Sequence, residues 1–288
     1  MKHYVVGIDL GGMSAKGAIF EENGTLILKK SVPTSSADGF DKTAEHMAEL
    51  TRALAKEAHA DYSEIDGIGI AVPGFIDSEK GVVMRWSNYG WLERPLVQKM
   101  EELTGKKVKI SNDANVAALG EAKFGAGKEY KSSLLVTLGT GVGSGFVAGR
   151  RLVTSGDEVP ANGWVYCLPF EGGIVDEAFS TRWVCGRYRE LTGQEISGAR
   201  EAAERHAEDP AARRLFDEYG ERLAAFAAPV AERFRADMLV LGGNISRAYP
   251  LFGPAMKRRL EADGHRIRIG LPARPDHAAL IGAASLFI

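Results

Sequence analysis

Val-Val-Gly-Ile-Asp-Leu-Gly-Gly-Met-Ser-Ala-Lys, at residues 5–16, ends an apolar, β-branched run in an acid and two glycines. The run at residues 4–8 predicts a fully buried strand, and a second strand should follow the turn. Backbone N–H groups at Gly11 and Gly12 can face an anion, while Asp9 can hold a hydrated divalent cation. An ordinary glycine turn is the alternative interpretation of this stretch taken alone.

The same design occurs a second time at residues 133–152. An apolar run at 134–138 leads into Gly-Thr-Gly-Val-Gly-Ser-Gly at 139–145, and a second apolar run follows. Each hairpin precedes a turn and a third strand, which predicts two half-molecules of one plan, each with a glycine loop. Two such loops facing each other would clamp one nucleotide. The sequence lacks the P-loop pattern and the Gly-x-Gly-x-x-Gly spacing before a helix, which disfavours P-loop enzymes and Rossmann dehydrogenases.

Length and composition favour two domains and a small-molecule ligand. The chain has 288 residues, 45% of them hydrophobic, and 34 glycines, which is enough for a sizeable core. The net charge of −2 and the lack of a basic cluster disfavour nucleic-acid and membrane partners. Cys167 and Cys185 give neither a zinc pattern nor a disulfide framework. With a first strand at Tyr4 and no apolar run of membrane-spanning length, the sequence predicts a cytoplasmic protein.

The remaining chain alternates between helical and strand patterns. Buried strands are predicted at residues 66–72, 108–110 and 238–241, and helices at 41–59, 95–104, 210–235 and 276–287, with another running through 124. Residues 76–92, rich in Trp, Asn, Tyr and Gly, predict an irregular connection of the kind that binds ligands.

Polar side chains are concentrated where the strand at 108–110 ends, because Ser-Asn-Asp-Ala-Asn occupies residues 111–115. In open α/β sheets the carboxyl ends of strands face the ligand crevice, so Asn112 and Asp113 are candidates for chemistry. A helix cap is the alternative role for Asp113. The Gly-Gly pair at 242–243 is a third strand-to-glycine turn, for which a tight turn into a helix is the alternative.

Taken together, these motifs resemble the ROK family of sugar kinases, a branch of the actin-like ATPase superfamily. Residues 9–12 with Lys16 are similar to the family's first phosphate motif, and 138–143 to its second. Residues 242–246 resemble its adenosine motif, and 111–115 its catalytic segment. The four motifs occur in the family's order along nearly the whole chain.

The resemblance implies an α/β fold of two ribonuclease-H-like lobes with a cleft between them. The N-terminal lobe would comprise residues 1–115, joined by a C-terminal helix at 276–288, and the C-terminal lobe residues 116–275. The implied activity is ATP-dependent transfer of the γ-phosphate to a hydroxyl, O6, of a hexose, amino sugar or β-glucoside. ATP, Mg²⁺ and a homodimer are implied, without nucleic acid or membrane.

Site residues also follow from the resemblance. Asp113 would be the catalytic base, and Asp9 would position hydrated Mg²⁺. The sugar would contact Gly74, Asn88, Asn112, Glu158, Trp164 and Glu177, and the nucleotide would contact Gly11, Gly12, Lys16, Gly139, Thr140, Gly141, Gly242 and Gly243. A solvated side chain is the alternative for Lys16.

The sequence departs from the family pattern in three places. Met13 stands where the family has Thr or Ser, so a phosphate-contacting hydroxyl is missing unless Ser14 substitutes. The family's Glu-x-Gly-His reads Ala-Asn-Gly-Trp at 161–164, where Trp164 suggests an apolar platform for a sugar face or substituent. Glu158 is a candidate for the lost acid. The cysteine-rich zinc loop is absent, so no structural zinc is expected.

Two other functions occur among such proteins. A sugar-responsive transcription factor would carry a helix-turn-helix module ahead of the kinase-like body, and the first strand at Tyr4 leaves no place for one. A catalytically weak sugar-binding or regulatory protein is the second alternative, raised by Met13 and the missing Glu/His pair. Polyphosphate as the donor is disfavoured because no basic groove is evident.

Overall fold

The computed structural model describes residues 3–272 and 277–288, which form two compact units. The first unit contains residues 3–125 and 277–288, and the second contains 126–272. The predicted boundary at Asn115 therefore falls inside a helix of the first unit. That helix packs against the C-terminal helix and stays with it, so the chain changes units only after Gly125.

A five-stranded mixed sheet forms the first unit, in the order β3-β2-β1-β4-β8. Strands β1, β4 and β8 are parallel, whereas β2 and β3 extend β1 as an antiparallel hairpin meander. The elements are β1 (Tyr4–Leu10), β2 (Ser14–Glu21), β3 (Leu26–Pro33), α1 (Gly39–Glu57), β4 (Ile65–Val72), β5 (Phe75–Asp77), β6 (Val82–Trp86), β7 (Trp91–Arg94), α2 (Leu96–Thr104), β8 (Val108–Asn112) and α3 (Asp113–Phe124).

The expectation of an irregular connection at residues 76–92 is wrong for most of that segment. Strands β5, β6 and β7 form a small antiparallel sheet. Val83, Trp86 and Trp91 are buried in it, and such β-branched and aromatic side chains favour strands when one face is covered. Between β6 and β7 the chain forms a short 3₁₀ turn at Ser87–Tyr89.

The second unit repeats the plan of the first. Its sheet has the order β11-β10-β9-β14-β15, with β9, β14 and β15 parallel and β9-β10-β11 antiparallel. This confirms the predicted duplication of one hairpin design. The elements are β9 (Ser132–Leu138), β10 (Val142–Ala148), β11 (Arg151–Val153), β12 (Pro169–Phe170), β13 (Gly173–Ile174), α4 (Val175–Phe179), α5 (Thr181–Thr192), α6 (Ala199–Arg205), α7 (Pro210–Phe234), β14 (Met238–Gly242), α8 (Tyr249–Ala262) and β15 (Arg268–Gly270).

The long helix α7 matches its predicted bounds closely because its end signals are local. Asp209 caps it by accepting a hydrogen bond from the Ala211 N–H at 2.8 Å, and Pro210 occupies the first turn. At the other end Arg235 adopts a left-handed conformation that stops the helix. Its apolar face, including Phe216 and Leu223, is buried in the core of the second unit.

The chain ends in a helix, α9 (Ala278–Ala284), that returns to the first unit and packs on β1 and β4. It is shorter than the predicted helix at 276–287, and Asp276 lies outside the described residues. Contact with the sheet is between backbones: a Cβ added at Gly69 would lie 1.8 Å from the Ala283 carbonyl oxygen. Among residues 3–272 and 277–288, no helix combines the length and apolarity needed to cross a membrane.

Replacing Gly69 by Ala should destabilise the protein by about 1–3 kcal/mol, because α9 must move away from β4 to admit the methyl group. Urea unfolding would measure the loss. The control is Gly186→Ala in α5, where an added Cβ meets no described atom within 4 Å, and which should leave stability unchanged or raise it slightly. Equal stability of Gly69→Ala and the wild type would contradict the packing of α9.

Candidate active site

Three parallel strands of the first unit end at the same edge of its sheet. Asp9 in β1 is in register with Ala71 in β4, and Val72 is in register with Asn112 in β8. Parallel strands in such sheets present their carboxyl ends to ligands. The strand ends therefore bring Asp9, the segment after Val72 and the Asn112–Asp113 pair to one edge, as the sequence predicted for the last two residues.

Asn112 connects two of these strand ends. Its Oδ1 accepts a hydrogen bond from the Ala114 N–H at 3.0 Å, and its Nδ2 donates to the Gly74 carbonyl oxygen at 3.1 Å. Asn112 is thus the N-cap of α3, whereas the sequence offered that role to Asp113. Asp113 is the first helical residue, and its Oδ1 accepts from the Ala114 N–H at 2.8 Å. Among the described residues, no other side chain donates a hydrogen bond to the Asp113 carboxylate.

The Asp113 side chain is reached by solvent, yet protein surrounds enough of its carboxyl group to displace part of the water. This desolvation raises the pKa of Asp113 above its ordinary value. The hydrogen bond from Ala114 opposes the rise, and the negative charge of Asp9 adds to it. An acid with a raised pKa accepts a proton more readily than an exposed aspartate does.

Asp9 lies directly opposite Lys16 in the β1-β2 pair, so both side chains are on the same face of the sheet. Burial raises the pKa of Asp9, and the positive charge of Lys16 partly offsets the rise. Among the described residues, none donates a hydrogen bond to the Asp9 carboxylate. A carboxylate without a protein donor, at a strand end beside a glycine turn, suits a hydrated Mg²⁺ ion.

The first glycine turn is held by hydrogen bonds to its backbone. The Gly11 N–H donates to the Ser14 carbonyl oxygen at 3.0 Å, and the Thr34 hydroxyl donates to the Gly11 carbonyl oxygen at 3.0 Å. A Cβ added at Gly12 would meet no described atom within 4 Å, so the fold itself leaves room for a side chain there. Met13 is 87% exposed, and Ser14 begins β2.

In the second unit the corresponding turn joins β9 to β10. The Gly139 carbonyl oxygen accepts hydrogen bonds from the Thr181 N–H at 2.8 Å and the Thr181 hydroxyl at 2.9 Å. Asp176 in α4 accepts from the Val142 N–H at 2.8 Å. These contacts leave Thr140 and Gly141 exposed at the tip. Sequence reasoning missed Thr181 and Asp176, which are distant in the chain and belong to no glycine motif.

The third glycine turn, after β14, is required by the fold. Gly243 has a φ of +83°, and a Cβ there would lie 2.3 Å from the Leu138 carbonyl oxygen, which brings the end of β14 against the end of β9. A Cβ at Gly242 would make ordinary contacts only. Gly243 is therefore explained by a tight turn into a helical segment, which is the alternative interpretation of the Gly-Gly pair. Gly242 is not explained in this way.

A cavity of about 630 Å³ lies beside this turn within the second unit. Ala199, Arg200 and Ala203 of α6 form one wall, and the chain that follows the glycine pair forms the other. The main lining residues are Ala199, Ala203, Asn244, Arg247, Ala248 and Leu251. The sequence pointed to the glycine pair and to Asn244, but α6 carries no motif that would have identified the opposite wall.

The predicted sugar contacts fall in different places. Asn88 is exposed in the 3₁₀ turn at Ser87–Tyr89. Trp164 is partly buried, and its neighbours are fixed by Ser144, whose hydroxyl donates to the Gly163 carbonyl oxygen at 2.6 Å and accepts from the Val165 N–H at 3.0 Å. The Glu177 carboxylate is exposed and accepts from the Ile174 N–H at 3.2 Å, at the start of its own helix.

Glu158, the candidate for the missing acid, is exposed on the second unit. It pairs with Arg235 at 3.6 Å, and the Arg235 carbonyl oxygen accepts a hydrogen bond from the Ser132 hydroxyl at the start of β9. An exposed ion pair of this kind is weak, so Glu158 stays a candidate for the missing acid.

Comparison with known proteins gives matches that cover most of the chain. A model of the ROK family matches residues 5–288. A glucokinase of Halalkalibacterium halodurans is 29% identical over 301 positions, covering 92% of this chain and 90% of that protein. A β-glucoside kinase of Listeria monocytogenes is 28% identical, covering 99% and 97%. The crystal structure of a ROK hexokinase from Thermus thermophilus superposes with a TM-score of 0.84 at 27% identity, covering 98% and 97%.

Two duplicated sheets with glycine turns at their strand ends, and this structural match, define an actin-like ATPase fold. Within that class the chain belongs to the ROK family. The family and the fold class inferred from the four sequence motifs are therefore confirmed.

Replacing Asp9 by Asn should stabilise the ligand-free protein at neutral pH. Because burial raises the pKa of Asp9, ionisation costs folding free energy once the pH exceeds that pKa, and the cost disappears as the pH falls toward the ordinary aspartate value. We expect a melting temperature about 1–3 °C above that of the wild type at pH 8. The difference should shrink in acid. A variant that melts lower at pH 8 in the absence of Mg²⁺ and nucleotide would refute this.

Proposed function

We propose that the protein is an ATP-dependent sugar kinase that transfers the γ-phosphate to a sugar hydroxyl, with O6 of a hexose or hexose derivative as the acceptor. The observation that carries the proposal is the group at the carboxyl edge of the first sheet. There Asn112 links α3 to the Gly74 carbonyl oxygen, and Asp113 follows with a raised pKa. The two compared relatives, a glucokinase and a β-glucoside kinase, support this class of reaction.

Asp113 is assigned as the general base. Phosphoryl transfer needs an acceptor oxygen in line with the phosphorus atom and a group to take the hydroxyl proton. Asp113 has one oxygen committed to the Ala114 N–H, which fixes the orientation of the carboxylate, and a second that can accept the proton. Asn112 and Gly74, joined by their hydrogen bond, would hold neighbouring hydroxyls. A base of this kind typically contributes about 10²- to 10⁴-fold to the rate.

The nucleotide is assigned to the glycine turns and the cavity. The cavity beside Gly243 is lined by alanine, proline and leucine side chains suited to a purine face, together with Asn244, Arg200 and Arg247, which supply polar groups. Phosphates would meet the backbone N–H groups of Thr140 and Gly141 in the second turn and of Gly12 and Met13 in the first, because the Gly11 and Gly139 N–H groups are bonded within their own turns. Asp9 would hold Mg²⁺, which when bound offsets the negative charge of the phosphate groups. Lys16, on the same sheet face as Asp9, would add positive charge at the first turn.

The acceptor is assigned as a sugar with an apolar face or substituent. Family members with Glu-x-Gly-His at this position present an acid and an imidazole, whereas this chain presents Ala161 and Trp164. An indole adds apolar area and can stack on a pyranose face or an aglycone. Glucose, N-acetylated hexosamines, fructose, allose and β-glucosides are the candidates, and the indole favours those with an N-acetyl group or an aglycone.

A catalytically weak sugar-binding or regulatory role is the second candidate. It is favoured by Met13, whose exposed thioether side chain replaces the hydroxyl that the family usually places after the two glycines. This role predicts sugar binding without turnover. An assay that couples ADP release to a panel of the candidate sugars separates the two functions, because only the kinase gives ADP in proportion to the sugar added.

Asp113→Asn should lower kcat by about 10³-fold or more while the affinity for Mg·ATP changes by less than about threefold. The amide keeps the shape and the acceptor for the Ala114 N–H but cannot take a proton. Stopped assays of ADP and isothermal titration with a non-hydrolysable ATP analogue would measure the two quantities. Asp41→Asn, at an exposed ion pair with Lys99, is the matched control and should keep full activity. Near-normal turnover by Asp113→Asn would overturn the base assignment.

Restoring the family pattern with Ala161→Glu and Trp164→His together should shift specificity toward glucose. The carboxylate and imidazole can hydrogen-bond sugar hydroxyls, while the loss of the indole removes the apolar platform. We expect the ratio of kcat/KM for glucose to that for the best substituted sugar to rise by about tenfold or more. An unchanged ratio in a folded, active double variant would show that residues 161–164 do not determine sugar specificity.

A further inference from the structure

One contact joins the first glycine turn to a segment far away in the sequence. The Tyr89 hydroxyl donates a hydrogen bond to the Gly12 carbonyl oxygen at 3.0 Å. Tyr89 ends the 3₁₀ turn that also contains Asn88. The contact lies entirely within the first unit, and it involves the turn assigned above to a phosphate group.

Aromatic packing fixes the position of the Tyr89 hydroxyl. The ring is stacked on Trp86 with centroids 3.9 Å apart and an interplanar angle of 3°, and it meets Trp91 edge-on at 5.8 Å. All three side chains are buried, with Tyr89 only 7% exposed. Such packing leaves the ring almost no rotational freedom, so the hydroxyl reaches Gly12 without a further loss of side-chain entropy.

Because the peptide group is planar, a hydrogen bond to its carbonyl oxygen also fixes the direction of its N–H group. In a trans peptide the carbonyl oxygen of one residue and the N–H of the next point in opposite directions. Thr34 holds the Gly11 carbonyl oxygen and Tyr89 holds the Gly12 carbonyl oxygen. The N–H groups of Gly12 and Met13 are therefore directed away from these two hydroxyls.

The orientation matters more in this chain than in relatives with a hydroxyl after the glycines. Met13 offers only a thioether, so residue 13 itself can contact an anion only through its backbone N–H group. A small rotation of the Gly12–Met13 peptide would move that donor out of line. A hydroxyl side chain could adjust to such a rotation, but a peptide N–H cannot.

We propose that Tyr89 is a positioning residue for phosphoryl transfer: it fixes the Gly12–Met13 peptide so that the Met13 N–H faces a phosphate of the nucleotide. Tyr89 itself does not touch the phosphate. Because the same side chain ends the turn with Asn88, it also ties the acceptor-binding segment to the donor-binding turn. This inference rests on the proposed kinase function for its ligand, but the effect on the turn is independent of that function.

The test is Tyr89→Phe, which keeps the aromatic stack and removes only the hydroxyl. Tyr62→Phe is the matched control, since the Tyr62 hydroxyl makes a comparable hydrogen bond with Thr51 at 3.1 Å, away from the strand ends. Hydrogen exchange would follow the amides of Gly11 and Thr34, which are hydrogen-bonded within the turn. Steady-state kinetics would give KM for ATP and for the sugar, and isothermal titration would give the affinity for Mg·AMP-PNP.

In Tyr89→Phe we expect exchange of the Gly11 and Thr34 amides to become about 3- to 10-fold faster, the size of effect expected for one neutral hydrogen bond. KM for ATP should rise by a similar factor, while KM for the sugar changes less than twofold. Thr34→Val removes the hydroxyl that donates to the Gly11 carbonyl oxygen. This variant should also speed amide exchange and raise KM for ATP. Tyr62→Phe should change neither.

Unchanged exchange and unchanged KM for ATP in folded Tyr89→Phe would overturn the proposal, as would equal effects from Tyr62→Phe. If the wild type transfers phosphate to no sugar, the kinase assignment fails, whereas the exchange and Mg·AMP-PNP arms still decide the role of Tyr89. Faster exchange with unaltered Mg·AMP-PNP affinity would show that Tyr89 supports the turn but does not position a phosphate donor, and would also overturn the proposal.

Discussion

The backbone contact between helix α9 and its neighbours is the constraint on which the first unit depends. The helix lies between β4 and α3, and glycine is present where the backbones meet. A Cβ at Gly69 would strike the Ala283 carbonyl oxygen, and a Cβ at Gly282 would lie 1.9 Å from the Val116 carbonyl oxygen. Helices this close have no side-chain layer between them, so their separation is set by backbone atoms that do not repack. Helix α9 thereby fixes the position of α3 in the first unit, and Asp113 is the first residue of α3.

From this constraint the chemistry of the strand ends follows. Because β1, β4 and β8 are parallel and in register, Asp9 and Asp113 lie at the same edge of the sheet. Burial raises the pKa of both carboxyl groups there. Two desolvated acids close enough to repel one another cost folding free energy in the absence of a ligand. Bound cations and a polar acceptor would offset that cost, so the first unit is less stable alone than its packing would permit. Stability given up at strand ends in this way is common in enzymes.

The sequence predicted the features that local chemistry controls. Apolar runs ending in glycine gave β1, β9 and β14, and Asp209-Pro210 gave the start of α7, because strand burial and helix capping need only nearby residues. The small sheet at 75–94 was missed, since its stability comes from burying Trp86 and Trp91 against a core that no local pattern reveals. Tyr89, Thr181 and Asp176 were missed for the same reason: each contacts a glycine turn through the folded chain only.

The segment predicted to contact the sugar combines a fixed backbone with side chains of unusual type. Glu158 beside it forms only a weak surface ion pair with Arg235, which leaves its carboxylate available to a ligand. The segment that lost the acid and the histidine is still pinned to β10 by Ser144. The backbone of this segment is therefore fixed by β10, although its side chains differ from the pattern of the resembled family, and Asp113, the proposed base, is present. A protein that had abandoned catalysis would have no need to keep a desolvated acid at α3, where a neutral side chain would be more stable. Under the proposed function, a desolvated acid at α3 together with an altered recognition segment fits a kinase with a different acceptor better than it fits a protein without activity.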